Sequence, residues 1–539
     1  MFFSLRRRDF VKGALGAGVL GASSTMKAPP ATAATTLLKF GDPTPFSYDQ
    51  LIAKARDLSR APYQAPPTPD PAIVQQNDVL PYGRITYKPE AALFADGPGL
   101  YPITFKLVGR YFPKSVRMNV VAEGQAREIL YTPDYFNIPD DHPMKALPSQ
   151  PGAFAGFWVQ DSRESGDWTK TEPWATWLGA SYWRARGDLG QVGLSARGIA
   201  VNTGDKDEEF PDFTQHWFET PKSGDQQLTI YSLLDGPSIT GAYRFTLSQK
   251  DGDIVEVEKH LFLRQDVRRL GLSPMTSMFW MGENYKRFQE DWRPEVHDSD
   301  GLEIWTSDNQ RLWRPLATPR RIVVSSFADT GPKGFGLMQR DRNLEHYLDY
   351  AAYERRPSLW IEPVGNWGQG TIQLVEIPTD DEIYDNIACF WNGPAEPKAG
   401  AEITAHYRQH WRASSPVADA SLAHVRATRI GRGGEPGFPH PAGTKKFFVE
   451  FEGTPLATFS QDKRPVPDIS ASAGKIDHAY TYQIPTTQRW AAIFDLDMRG
   501  VNEAVELRLQ LKDAGGKALS ETWLYQVRPE DLAGQGGWL

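Results

Sequence analysis

Short runs of alternating apolar and polar positions, separated by clusters of Gly, Pro, Asp and Asn, fill most of the chain between Leu37 and Trp411. Residues 227–231, 254–263, 321–327 and 371–376 are the clearest of them. Val255, Val257 and the run His260, Leu261, Phe262 alternate imperfectly, as expected of antiparallel strands with one covered face. Helical spacing is scarce. Leu51, Ile52, Ala55 and Leu58 predict one amphipathic helix from Tyr48 to Ala61, and a second, short one falls at residues 284–288. Helices this few do not cover a parallel sheet, so the pattern reads as all-β.

A further set of strand-like runs follows the turn-like residues 412–416 (RASSP): 423–430, 445–451, 478–483, 489–497, 504–512 and 521–526. Their number and combined length predict an immunoglobulin-like sandwich without the Cys pair of antibody domains. A chain of 539 residues also exceeds what one core usually serves. The predicted organisation is a large β domain over 35–412, a linker over 413–420 and the smaller sandwich over 421–539.

The first 34 residues read differently. A basic start with Arg7-Arg8 followed by Asp9-Phe10-Val11-Lys12, a weakly apolar Gly-rich middle and Ala31-Thr32-Ala33 form an export signal of twin-arginine type. The apolar stretch is far shorter than the ~20 residues needed to span a bilayer. The expected destination is the periplasm, with no stable membrane insertion. Formal charge is −8; removing residues 1–34 takes away five basic residues and Asp9, leaving 54 basic against 66 acidic residues, a net −12. Such a balance argues against nucleic acid or anionic lipid as partner.

Two features of composition narrow the chemistry. A single Cys, Cys389, excludes an intrachain disulfide and any multi-Cys metal site, and its apolar surroundings make it core rather than nucleophile. Seventeen Trp, 20 Tyr and 27 Phe exceed ordinary usage. Most of these rings are expected in the core. The remainder suit stacking on the apolar faces of pyranose rings, which points to carbohydrate.

Three segments carry candidate chemistry. The densest polar string is 293–301 (RPEVHDSDG); its alternatives are an acidic turn or a calcium-loop fragment, the latter lacking a glutamate at the twelfth position. Residues 356–370 place Trp360 and Trp367 beside Glu362 between Gly and Pro punctuation, which suits a sugar-binding loop or a packed sandwich edge. In 376–391, Asp380, Asp381 and Glu382 read as a solvated turn. Asp385 instead enters an apolar run, where partial desolvation raises a carboxyl pKa toward that of a general acid; the bland alternative is a turn or cap. Glycoside hydrolysis needs two carboxyls, and Asp385 as acid with Asp298 or Asp300 as base meets that need. Serine-hydrolase, zinc-protease, P-loop and dinucleotide signatures are missing from the sequence, and no two His form a metal-ligand pair, so neither metal nor cofactor is expected.

At these residues the chain resembles the osmoregulated periplasmic glucan biosynthesis proteins, G and D types. The matching stretches are 293–301 (RPEVHDSDG), 332–336 (PKGFG), 356–360 (RPSLW), 367–370 (WGQG), 376–379 (EIPT), 385–387 (DNI) and 520–526 (SETWLYQ). The resemblance implies a galactose-mutarotase-like large sandwich ahead of the immunoglobulin-like one. It also implies action on linear β-1,2-glucan as a β-1,2-glucanase or transglycosylase, and a membrane glucosyltransferase as a further partner. Asp385 then corresponds to the acid and the Asp298–Asp300 pair to the base, Asp298 preferred. Tyr353, Arg356, Trp360, Glu362 and Trp367 would line the groove, with Arg293 and His297 also assigned to substrate. A non-catalytic glucan-binding or scaffolding protein is the competing reading; aldose mutarotase activity rests on fold analogy alone.

Overall fold

The structure is a computed structural model, and it describes residues 37–148, 152–285, 291–393 and 396–532. The export signal expected over 1–34 lies outside the described residues, as does most of the helix expected at 284–288. Contacts divide the chain into two compact units. One comprises the residues up to Met275 with Ile383–Asp385 and Phe390–Trp411; the other holds Thr276–Glu382, Asn386–Cys389 and the chain from Arg412 onward.

In the first unit one sheet runs, in spatial order, Lys39–Phe40, Gln125–Leu130, Arg117–Ala122, Asp212–Glu219, Leu228–Asp235, Ile239–Ser248, Asp253–Leu263 and Glu402–Arg412. Its neighbours are antiparallel except Arg117–Ala122 beside Asp212–Glu219. A second sheet contains Ser195–Arg197, Tyr182–Ala185, Ala175–Leu178, Phe154–Val159 and Ile103–Leu107. Rings from the two sheets interlock. Phe157 stacks on Trp177 at 5.1 Å and Trp177 on Trp183 at 6.1 Å, while Phe213 and Phe245 meet these rings from the other sheet. Much of the aromatic excess is thereby spent on a sandwich core, where such rings contribute most per residue.

The alternation that predicted strands is an alternation of burial. In Asp253–Leu263 the first eight positions alternate between buried and half-buried. The predicted helix forms over Tyr48–Ser59, with Ser47 Oγ accepting from the Gln50 amide and Leu51 and Ala55 packed on Val121, Trp217 and Phe262. It stops short of Ala61 because Ala61 precedes Pro62, a position that disfavours helical backbone. No helix among the described residues is long and apolar enough to cross a membrane.

In the second unit a sheet runs Ser358–Pro363, Gly334–Met338, Gly301–Trp305, Arg311–Pro315, Thr522–Val527, Val505–Lys512 and Val466–Ala471. A separate four-stranded sheet is ordered His424–Arg432, Thr444–Glu452, Trp490–Asp497 and Lys475–Gln483. Phe447, Phe494, Trp523 and Tyr525 pack together between these last strands and the C-terminal ones, with Trp523 Nε1 donating to Thr428 Oγ1 at 2.9 Å. All six strand runs predicted beyond residue 420 are present. The residues predicted as a linker follow directly on Glu402–Arg412 and lie within the second unit. Arg311–Pro315 pairs in parallel with Thr522–Val527, which ties the smaller sandwich to earlier strands of this unit. The fold is all-β.

Candidate functional site

The polar string 293–301 is held by apolar neighbours. Val296–His297 pairs with Phe279–Met281, and Val296 is buried among Met278, Met281, Tyr347 and Tyr353. The Asp298 amide donates to Met278 O at 2.8 Å. Gly301 closes the string because the next strand passes an indole: a Cβ there would lie 2.5 Å from Trp313 Cζ2.

Within this frame the second unit builds one continuous ionic chain. Asp298, fully enclosed, pairs with Arg356. The Arg356 guanidinium lies 4.0 Å from the centre of the Tyr353 ring. Tyr353 Oη donates to Glu382 Oε2 at 2.5 Å, and the same oxygen accepts from Arg293 at 2.8 Å. Arg293 donates further to Asp349 at 2.7 Å and to Asp291 at 2.8 Å. Burial works against the Arg293 guanidinium, yet its bonds to Asp291, Glu382 and Asp349 hold its pKa above the ordinary value. Charges so enclosed persist only because each is paired and hydrogen-bonded.

A second cluster surrounds His297. Its Nδ1 lies 3.0 Å from Gln339 Oε1 and its Nε2 3.0 Å from Glu295 Oε2. The Gln339 amide nitrogen donates to His297 O, Tyr347 Oη and Tyr353 O, which leaves Oε1 facing the ring. Both ring nitrogens thus face acceptors, the setting of an imidazolium. Asp300 Oδ1 stands 3.5 Å from Nδ1, and Asp300 Oδ2 takes the backbone N–H groups of Arg340 and Asp341. Burial alone would lower the His297 pKa, but Asp300 and Glu295, with Glu283 behind them, raise it to about 9. Glu283 is pushed well above the carboxylate range, first by burial and then by Glu295 and Asp300. These four groups line a cavity of about 20 Å³, room for one water.

This arrangement ties stability to pH. The folded chain holds a proton on His297 that the unfolded chain releases near the ordinary value of 6.5. The stabilisation is therefore complete below about 6.5 and is lost as pH rises through about 9, a difference on the order of 3 kcal/mol. Urea unfolding should show it, and His297→Gln should flatten that part of the pH profile.

Comparison with known proteins gives the family. A family model described as "Periplasmic glucan biosynthesis protein, MdoG" matches residues 46–527. The chain belongs to this family. It is 47% identical over 509 residues to glucans biosynthesis protein D 2 of Ralstonia nicotianae, covering 93% of this chain and 94% of that one. It is 41% identical over 539 residues to glucans biosynthesis protein D of Stenotrophomonas maltophilia, covering 97% and 98%. A solved polysaccharide lyase overlaps 70% of this chain and 45% of its own at 11% identity and a TM-score of 0.18, too slight to carry an argument.

Among the residues expected to serve glucan chemistry in this family member, the second unit brings together Arg293, Asp298, Tyr353 and Arg356 in one network and His297 with Asp300 in the adjoining one. Asp385 belongs to the first unit, half-buried in the loop before Ile387–Asn392. The Tyr182 hydroxyl has its pKa raised chiefly by burial, then by Glu208 and, more weakly, by Asp385. Glu362 and Trp367 are half-buried, Trp367 lying edge-on to Phe335 at 6.5 Å.

Tyr353, Arg356 and His297, predicted to contact substrate, are 3%, 3% and 1% exposed and face protein partners, and two further expectations need correction. Trp360 is 1% exposed and sits in the core of the second unit, so close to Gly334 that a Cβ there would fall 2.3 Å from its indole; it offers no face to a sugar. Glu382, read as part of a solvated turn, is buried and joins Tyr353 to Arg293. Two surface rings went unnoticed in the sequence. Trp292 is 67% exposed beside Arg293, and Tyr350 is 89% exposed beside Asp349. Aromatics flanking acids in Asp291-Trp292 and Asp349-Tyr350 are the signal that could have found them.

Proposed function

We propose that this protein is exported to the periplasm by a twin-arginine-type signal over 1–34 and acts there on the linear β-1,2-glucan backbone, as a β-1,2-glucanase or transglycosylase. In this reading Asp385 protonates the departing glycosidic oxygen, and Asp298, enclosed in the free protein, takes the proton from a water or an acceptor hydroxyl that substrate binding brings to it. A membrane glucosyltransferase supplies the nascent polymer.

The observation that best supports the reading is the enclosed Asp298–Arg356 pair. A guanidinium beside a carboxylate favours its charged form, which a base requires. Asp300 is differently engaged: both of its oxygens face donors, so it serves to position His297. Asp298→Asn should accordingly cost more turnover than Asp300→Asn, measured as new reducing ends from linear β-1,2-glucan. Trp292 and Tyr350 supply the stacking faces that Trp360 does not. Trp292→Ala should raise KM roughly five- to tenfold with little change in kcat, the effect of one lost ring contact.

The burial of Asp298 and its partners also favours a second reading, a glucan-binding scaffold without chemistry. That reading predicts glucan binding that survives Asp385→Asn and Asp298→Asn, with no reducing ends from any form of the protein.

A further inference from the structure

Strand register in the first unit gathers a row of polar side chains on one sheet face. Gln215 lies beside Arg117 and Trp217 beside Asn119 across the parallel pair, and Asn119 lies beside Glu128 across the adjoining antiparallel pair. Side chains two apart share a face. All five therefore project toward the side on which Leu51 of helix Tyr48–Ser59 packs against Trp217 and Val121. The helix covers only part of that face. Between it, the segment around Phe46 and the strands lies a cavity of about 510 Å³, within the usual range for small-molecule sites.

The cavity floor holds amide groups with unused capacity. Asn119 and Gln215 are 4% and 7% exposed. Asn119 spends its Nδ2 on His216 O at 2.9 Å, and Gln215 Oε1 accepts from Lys54 Nζ at 3.0 Å. Among the described residues no bond reaches Asn119 Oδ1, Gln215 Nε2 or the Trp217 indole N–H. Phe46 stacks on Trp217 at 5.1 Å and forms an aromatic wall. Charge is nearly balanced: Arg117 is bonded to Glu128, Lys54 has no carboxylate partner among the described residues, and Asp42 lines the same cavity.

An apolar ligand would leave the floor amides unmatched, at a cost, and a strongly ionic one would meet no net charge. A pyranose ring matches both features, since each hydroxyl donates and accepts while the ring face is apolar. We propose that this cavity is a saccharide-binding site for a neutral oligosaccharide of a few sugar units, distinct in its residues from the catalytic candidates. Asp298, Asp300 and Asp385 do not line it. Only the choice of a β-1,2-linked probe rests on the function proposed above.

The test uses the mature full-length chain. Cys389 is buried, so Gln50→Cys, at an exposed helix position lining the cavity, provides the reactive thiol. Initial rates of its alkylation by iodoacetamide are compared with and without linear β-1,2-glucotetraose, and with cellotetraose. Bound saccharide slows labelling by 1 + [L]/Kd, about tenfold at ten times Kd. Lys54→Ala and Gln215→Ala should each weaken that protection. Protection by cellotetraose alone upholds the site while counting against β-1,2-glucan as the polymer. Lack of protection by either sugar, or protection unchanged in both variants, overturns the proposal. Glucan turnover, measured separately, shows whether the catalytic reading stands or falls on its own.

Discussion

Asp385→Asn is expected to lower turnover of linear β-1,2-glucan by about 10²–10⁴-fold, the usual contribution of a positioned general acid. The amide keeps the shape of the carboxyl but has no proton to deliver to the departing glycosidic oxygen. Because Asp385 lies half-buried in a loop and not within a sandwich core, the urea midpoint should stay close to that of the wild type. Glucan affinity measured on the inactive variant should also persist. A chain that loses turnover and stability together would instead mark Asp385 as a structural residue.

Arg356→Ala should produce the largest loss of stability. It removes the partner of an Asp298 carboxylate that has no access to solvent, and it strips the cation from the Tyr353 ring. Breaking a buried ion pair from one side costs about 3–5 kcal/mol, mostly the penalty of the charge left behind. Urea denaturation checks the size of the effect. The double variant Arg356→Ala/Asp298→Asn should recover part of the loss, because the stranded charge is then gone. Arg356→Lys should rescue only partly, since an ammonium cannot reproduce the planar contact with Tyr353. In the catalytic account none of these variants retains wild-type turnover, whereas in the scaffold account only folding changes.

How far the chain could be read depended on whether a property was local. Strands such as Asp253–Leu263 announce themselves because burial alternates along them. The helix Tyr48–Ser59 does so because Ser47, Leu51 and Ala55 fall at a cap and on one face. The string 293–301 was recognisable for its density of titratable groups, and the structure joins it to Arg356 and Tyr353. Trp360 misled because the first four residues of Ser358–Pro363 are all buried; without alternation, a covered strand and a stacking loop look alike in sequence. Glu382 misled for a related reason. Its acidic neighbours suggest solvent, while the partners that bury it, Arg293 and Tyr353, are distant in the chain. The cavity of the first unit was illegible altogether, since only strand register brings Asn119 and Gln215 together.

The central claim is that this family member cleaves or transfers β-1,2-linked glucan by carboxylate chemistry. The most direct test is to incubate the mature wild-type protein with linear β-1,2-glucan and follow chain length and reducing ends across a pH range of about 4 to 8, where paired carboxyls work. The account predicts shorter, transferred or cyclised products that disappear in Asp385→Asn. Unchanged polymer at every pH, from a folded protein that still binds it, would contradict the account.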